Sequence, residues 1–229
     1  DTADGSSLQQ TITITPSSVT LLYESPQSYV PLLYKGRSLA GNGGLVRVTA
    51  LPSMSDAGRI VPPSCLSYSW YVNDSILRSE SGLGKQSAVI ALDYLKNKTE
   101  IKAIIRSPLG NTAEKRITIY PHMIMPLLYT YDSILGPNFA SVVGKRFEAV
   151  KDFTFSLEPF YASEEGGAPA TAVWYLNNLP STPLGGRILS MHPKENDYGT
   201  KMLSINVFGK DKRLQKGEAR VEIIFDTRK

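Results

Sequence analysis

The chain has 229 residues, 41% of them hydrophobic and 20% charged, with 18 Gly and 15 Pro. That is material for one large or two ordinary domains, and it excludes disorder and a long coiled coil. One cysteine, Cys65, and two histidines, His122 and His192, exclude a disulfide framework and a Cys-rich zinc site and leave little for acid–base chemistry.

The net charge of +4 is spread thinly: 12 basic and 9 acidic residues run up to Pro121, and 13 and 12 follow it. The densest basic stretch, Lys210, Lys212, Arg213 and Lys216, is interrupted by Asp211, so the coherent stripe that nucleic acid needs is missing. The best apolar run, Met123 to Leu128, is far shorter than the roughly 20 residues of a membrane span.

From the N-terminus, Asp1-Thr2-Ala3-Asp4 has no initiator Met and no basic-then-apolar leader, as expected after removal of a signal peptide, and residues 1–10 read as a flexible tail. Leu21-Leu22-Tyr23 opens the first block. Val46, Val48 and Ala50 then alternate with Arg47 and Thr49, the period-two signature of a strand with one buried face. Tyr68-Ser69-Trp70-Tyr71-Val72-Asn73 follows. Residues 91–95 are the one place where a short helix is expected. Ile101, Ala103 and Ile105, then Ile117 and Ile119, alternate again across the Ser107-Pro108-Leu109-Gly110-Asn111 turn. In the second half the alternating sets are Phe153, Phe155 and Leu157, then Leu203, Ile205 and Val207, then Val221, Ile223 and Phe225.

The two halves repeat one another. Trp70-Tyr71-Val72-Asn73 recurs 104 positions later as Trp174-Tyr175-Leu176-Asn177, and Glu114 to Ile119 recurs at the same offset as Glu218 to Ile223. Val46 to Pro52 matches Phe153 to Pro159, and Leu21-Leu22-Tyr23 is echoed by Leu127-Leu128-Tyr129. Four blocks in one order, with small changes of loop length, describe two homologous domains. Short strands at this spacing predict an all-β chain of two tandem immunoglobulin-like antiparallel β-sandwiches, residues 11–121 and 122–229. Trp70 and Trp174 are the expected core anchors, each large enough to fill the gap between two sheets.

The tryptophan strands, the hairpin from Thr99 through Gly110 to Ala113, and the closing Ile117-Thr118-Ile119 resemble the bacterial immunoglobulin-like and PKD-like domains found in tandem on exported proteins. The layout is similar to exported proteins of candidate-phylum (Patescibacteria-type) bacteria, some linked with surface pili. The chain departs from PKD domains in carrying Asn73-Asp74 and Asn177-Asn178 where they have Gly-Asp-Gly, and it lacks the paired cysteines of antibody domains. The resemblance implies a secreted, non-enzymatic module of a bacterial cell surface or pilus. It implies a protein partner or self-assembly there, and a glycan- or peptide-binding adhesin as the alternative.

Chemistry-bearing motifs are few. No Gly-x-Ser-x-Gly elbow occurs, and His122 and His192 lie in connecting segments without a nucleophile beside them. Cys65 reads as a half-buried small apolar residue. Glu164-Glu165, Glu195-Asn196-Asp197 and Asp132 lack the spacing of a calcium loop, and Gly82-Leu83-Gly84-Lys85 is a turn without a phosphate-binding pattern. No catalytic residue, metal or cofactor is expected. What remains are two long, aromatic segments, Leu21 to Arg37 and Leu127 to Arg146, where a sandwich needs only a short connection. They either fold back over their own sandwich or face a partner. For the second role Tyr23, Tyr34, Tyr129 and Tyr131 are the candidate residues, with Tyr29 behind them.

Overall fold

The structure, a computed structural model, describes residues 17–32, 34–163, 170–181, 186–194, 197–209 and 212–226. The expected tail, the Glu164-Glu165 pair with the Gly166 to Pro169 turn, Glu195-Asn196, and Lys210-Asp211 lie outside the described residues.

Among the described residues ten strands form in the first half: β1 (Ser18–Glu24), β2 (Leu45–Ser53), β3 (Ser55–Asp56), β4 (Arg59–Ile60), β5 (Ser67–Val72), β6 (Ser75–Ile76), β7 (Gly82–Leu83), β8 (Ser87–Ala91), β9 (Thr99–Arg106) and β10 (Thr112–Ile119). Nine follow: β11 (Met125–Asp132), β12 (Gly136–Pro137), β13 (Arg146–Ala149), β14 (Phe153–Phe160), β15 (Thr171–Leu176), β16 (Leu179–Ser181), β17 (Ile188–Met191), β18 (Tyr198–Gly209) and β19 (Lys212–Asp226).

The strand orders reveal the repeat. Sheet β1-β2-β8 has its counterpart in β11-β14-β17, and β10-β9-β5-β6 in β19-β18-β15-β16. Both sets are immunoglobulin-like antiparallel sandwiches. The second adds two edge pieces: β12 on β11, and β13 lying parallel to β19 with Arg146 opposite Glu222. Trp70 on β5 and Trp174 on β15 hold the same topological place, and both are 0% exposed.

Local chemistry explains the matching turns. After each tryptophan strand the chain reverses through two residues with positive φ, Asn73 (48°) and Asp74 (62°), then Asn177 (49°) and Asn178 (66°). Two consecutive left-handed residues make the two-residue hairpin turn whose twist suits the flanking strands, and Asn and Asp tolerate it best after Gly. The segment 91–95 departs from expectation: it forms no helix, and the short 3-10 turns fall at Pro63–Cys65 and Arg78–Glu80 instead. Residues 91–95 offer less than two helical turns, too few to offset the cost of nucleation.

Contacts divide the chain into two compact units. Unit 1 comprises Asp1–Leu22, Thr49–Ala88 and Ile101–Ile117, and unit 2 comprises Tyr23–Val48, Val89–Glu100 and Thr118–Lys229. Unit 1 buries Tyr68, Trp70, Leu66, Ala103 and Ile105. In unit 2 the cluster runs from Leu128, Phe155, Leu157 and Leu189 on one sheet to Trp174, Leu203, Ile205, Val221 and Ile223 on the other. Residues 25–44, which join β1 to β2, belong entirely to unit 2.

Candidate interaction site

The first long connection is held from within before it holds anything else. Ser25, fully buried, donates its hydroxyl to the Leu45 carbonyl at 2.6 Å and accepts from the Ser28 hydroxyl at 2.9 Å. Ser28 makes an antiparallel bridge with Ser163, and the Tyr29 amide donates to the Ala162 carbonyl at 2.7 Å. The Tyr29 hydroxyl donates to the carboxylate of Glu158, which also accepts from the Ser156 hydroxyl at 3.2 Å. The Arg187 guanidinium lies 4.2 Å above the Tyr29 ring, a cation–π contact on the same group.

A second set of bonds fixes the end of the connection. Gly41 bridges His122 in parallel; the Asn42 amide donates to His122 at 2.9 Å, and the His122 amide donates to Ala40 at 3.0 Å. Gln215, 1% exposed, donates its amide to the Asn42 carbonyl at 2.8 Å and accepts from the Ser163 amide at 2.8 Å. Gly41 has no room for a side chain here, since a Cβ would stand 2.0 Å from the Tyr161 carbonyl oxygen. The glycine is required by close approach of two backbones.

Along this connection lies a cleft of ≈140 Å³ lined by Tyr29, Tyr34, Arg37, Met125, Leu127 and Phe160 among others. Tyr34 is exposed and meets Phe160 edge-on at 6.2 Å. Tyr23 is half-buried under Arg37, whose guanidinium sits 4.1 Å over the ring and donates to the hydroxyl at 3.1 Å.

The second connection, residues 133–152, is the same length as the first. It begins with a tight turn: the Asp132 carboxylate accepts from the amides of Ile134 (2.8 Å) and Leu135 (2.9 Å). Those bonds, the Leu135 amide first, hold its pKa below the ordinary aspartate value. Tyr131 is half-buried beside a cleft of ≈440 Å³ that Leu135, Pro137 and Phe139 also line. Ile134 and Leu135, at the tip, are 90% and 86% exposed.

Tyr129 departs from its expected role. It is buried against Phe139, with ring centroids 5.1 Å apart, and its side chain offers a partner almost nothing. Burial, and next the charge of Glu158, raise its pKa above the ordinary phenol value. The physical reason is that residues 138–143 fold back on β11, with the Val143 amide bonded to Leu128 at 2.7 Å.

Glu158 and Gln215 are the residues that the sequence hides. On alternation Glu158 belongs to the outward face of β14, yet it is 6% exposed because the Tyr29 segment covers that face. Cys65 is exposed rather than half-buried, lying in the Pro63–Cys65 turn. His192 is exposed and pairs with Asp152 at 2.8 Å, while His122 is exposed and stacks on Tyr161 at 4.8 Å. Among the described residues no three His, Cys, Asp or Glu side chains gather as a metal ion needs, and no helix is long and apolar enough to cross a membrane.

No protein-family model matches the chain, and no curated protein matches it. Among solved structures it is similar to the fibronectin(III)-like modules of Clostridium thermocellum CbhA, at 11% identity and a TM-score of 0.32 over 91% of this chain and 96% of that one. It is also similar to the three N-terminal domains of the highly immunogenic outer capsid protein of bacteriophage RB49. There the identity is 11% and the TM-score 0.47, over 92% of this chain and 59% of that one. Murine CEACAM1b matches at 11% identity and a TM-score of 0.28, over 90% of this chain and all of that one. At these scores the likenesses assign nothing further to the chain; the fold rests on its own strand order and registers.

Proposed function

We propose that the chain is a non-enzymatic structural and interaction module of a bacterial cell surface or surface appendage such as a pilus, exported by a cleaved signal peptide. Its tandem sandwiches, divided near residues 121 and 122, are the scaffold. The observation that carries this reading is the pair of long connections, which hold Tyr34, Leu32, Ile134 and Leu135 out to solvent from rigid sheets. Loops positioned by a stable scaffold are where such modules bind. Polar groups are used to hold the chain together: Glu158 by Tyr29, Gln215 by Asn42 and Ser163, and Asp56 by the β9–β10 turn.

Tyr23, Tyr34 and Tyr131 are the tyrosines of the proposed contact surface, Tyr129 being covered. The alternative, a glycan- or peptide-binding adhesin module, would use the cleft beside Tyr34 and Arg37. At ≈140 Å³ it takes a single ring or side chain, below the roughly 300–1,000 Å³ of ordinary ligand pockets.

Protease treatment of intact source cells tests the location. Loss of the protein from intact cells is expected, and protection until lysis overturns a surface role. Tyr34→Ala and Tyr131→Ala then test the contact surface. Unchanged melting with weaker surface attachment supports it, whereas full attachment leaves a plain spacer.

A further inference from the structure

In unit 2 the connection that follows β1, besides its bonds to His122 and Glu158, lies on the connection that follows β14 (Ala162, Ser163) and on the start of β19 (Gln215). Each partner has an equivalent elsewhere in the repeat. The equivalent of the docked connection is the one following β11, and its tip presents Ile134 and Leu135 at 90% and 86% exposure. The equivalents of the receiving elements are the β3–β4 hairpin, which follows β2, and the β9–β10 turn. These two are clamped together in unit 1: Asp56 accepts from the Ser107 hydroxyl (2.6 Å), the Leu109 amide (3.0 Å) and the Asn111 side chain (2.9 Å). Their outer surface carries Ile60 and Leu109, 86% and 70% exposed.

Resting on the interaction-module reading, we propose that the chain associates head to tail with a second copy of itself. The β11–β12 tip of one molecule docks on the β3–β4 hairpin and β9–β10 turn of the next. Apolar surface meets apolar surface, and the charges complement. Asp132 is the one charged residue from 130 to 144, while the receiving elements and their ends carry Arg59 and Arg106, both exposed, against Asp56, whose carboxylate is already taken up by Ser107, Leu109 and Asn111. The same lack of basic residues gives the tip no attraction for anionic lipid headgroups. Donor and receiver are different surfaces of one chain, so the contact is heterologous and repeats from molecule to molecule. Each joint is small and weak by itself, as four aliphatic side chains at its centre dictate.

Sedimentation velocity of the full chain at rising concentration tests this. Association with a dissociation constant at or below about 1 mM is expected, weakening with salt. The pairs Ile134→Ser with Leu135→Ser, and Ile60→Ser with Leu109→Ser, change only exposed positions, and unchanged melting shows that each variant folds. Each pair alone weakens association by about tenfold or more. Mixing the two variants restores a one-to-one complex, because each keeps the surface the other lacks. A wild-type chain monomeric throughout overturns the proposal. So does dependence on the tip pair alone, which means a tip-to-tip contact, or tip-dependent binding to phosphatidylglycerol vesicles by a monomeric chain. A monomer whose surface attachment still needs Tyr34 or Tyr131 removes this proposal and leaves the interaction-module reading standing.

Discussion

The hydroxyl of Tyr29 donates to the carboxylate of Glu158, a residue 129 positions further along the chain. Glu158 is 6% exposed, so this phenol and the Ser156 hydroxyl stand where water would otherwise solvate its carboxylate. Burying a carboxylate costs several kcal/mol unless hydrogen bonds replace its hydration.

Removing that donor is therefore expensive. Tyr29→Phe leaves the ring and its cation–π contact in place and is expected to cost about 1.5–3 kcal/mol, the range for a hydrogen bond to a charged group. Urea unfolding of Tyr29→Phe, Glu158→Gln and the double variant measures it, with a coupling energy above about 0.5 kcal/mol expected. Additive effects would show that the bond contributes nothing.

The two tryptophans are expected to behave alike. Both indoles are buried, and each donates its Nε1–H to a backbone carbonyl at 2.9 Å, Trp70 to Lys85 and Trp174 to Gly186. Trp70→Ala and Trp174→Ala should each cost about 3–5 kcal/mol. A loss below about 1 kcal/mol at either site in denaturant titrations would contradict the burial seen here.

Gly41 tests the docked connection through backbone approach alone. Gly41→Ala places a Cβ 2.0 Å from the Tyr161 carbonyl oxygen and 2.9 Å from the Gln215 side chain. It should destabilise by about 1–3 kcal/mol as an overpacked site. Gly144→Ala, with nothing within 4 Å, is the control and should stay within about 0.5 kcal/mol. Equal effects in thermal melts would mean that residues 40–42 are not held where the structure places them.

Asp56 sets an acid limit on the clamp between the β3–β4 hairpin and the β9–β10 turn. Its carboxyl is held below the ordinary aspartate value, first by the Ser107 hydroxyl and then by the Leu109 amide and Asn111. A folded-state value below the unfolded one means the stabilisation is full above the unfolded value and is lost as pH falls through the folded one. Asp56→Asn should lower the melting temperature at pH 7, and the difference from wild type should shrink below about pH 4. A difference that stays constant into strong acid would show that the charge plays no part.

Much of the architecture is legible without coordinates because it is local and periodic. The alternation of Val46, Val48 and Ala50, or of Leu203, Ile205 and Val207, reports one buried face per strand. The Asn73-Asp74 and Asn177-Asn178 pairs mark tight reversals by residue type alone. The candidate site was much less legible. Tyr34 and Tyr131 were readable as aromatics in unusually long connections, but nothing in the residues around Tyr129 distinguishes it from them. Its burial follows from the path of residues 138–143.

The amino-acid sequence by itself determined that this protein is built twice from one all-β pattern, because strand periodicity, turn chemistry and the repeated Trp-Tyr block are properties of neighbouring residues. Only the tertiary structure decided what becomes of the long connections. Glu158 stands in a strand whose alternation directs it outward, and Gln215 stands among polar residues near the start of β19; both are buried because residues 25–44 lie across them. A contact between positions 42 and 215, or 29 and 158, leaves no periodic trace in a single chain, since it depends on where a loop and a distant strand arrive in space rather than on what precedes or follows either one.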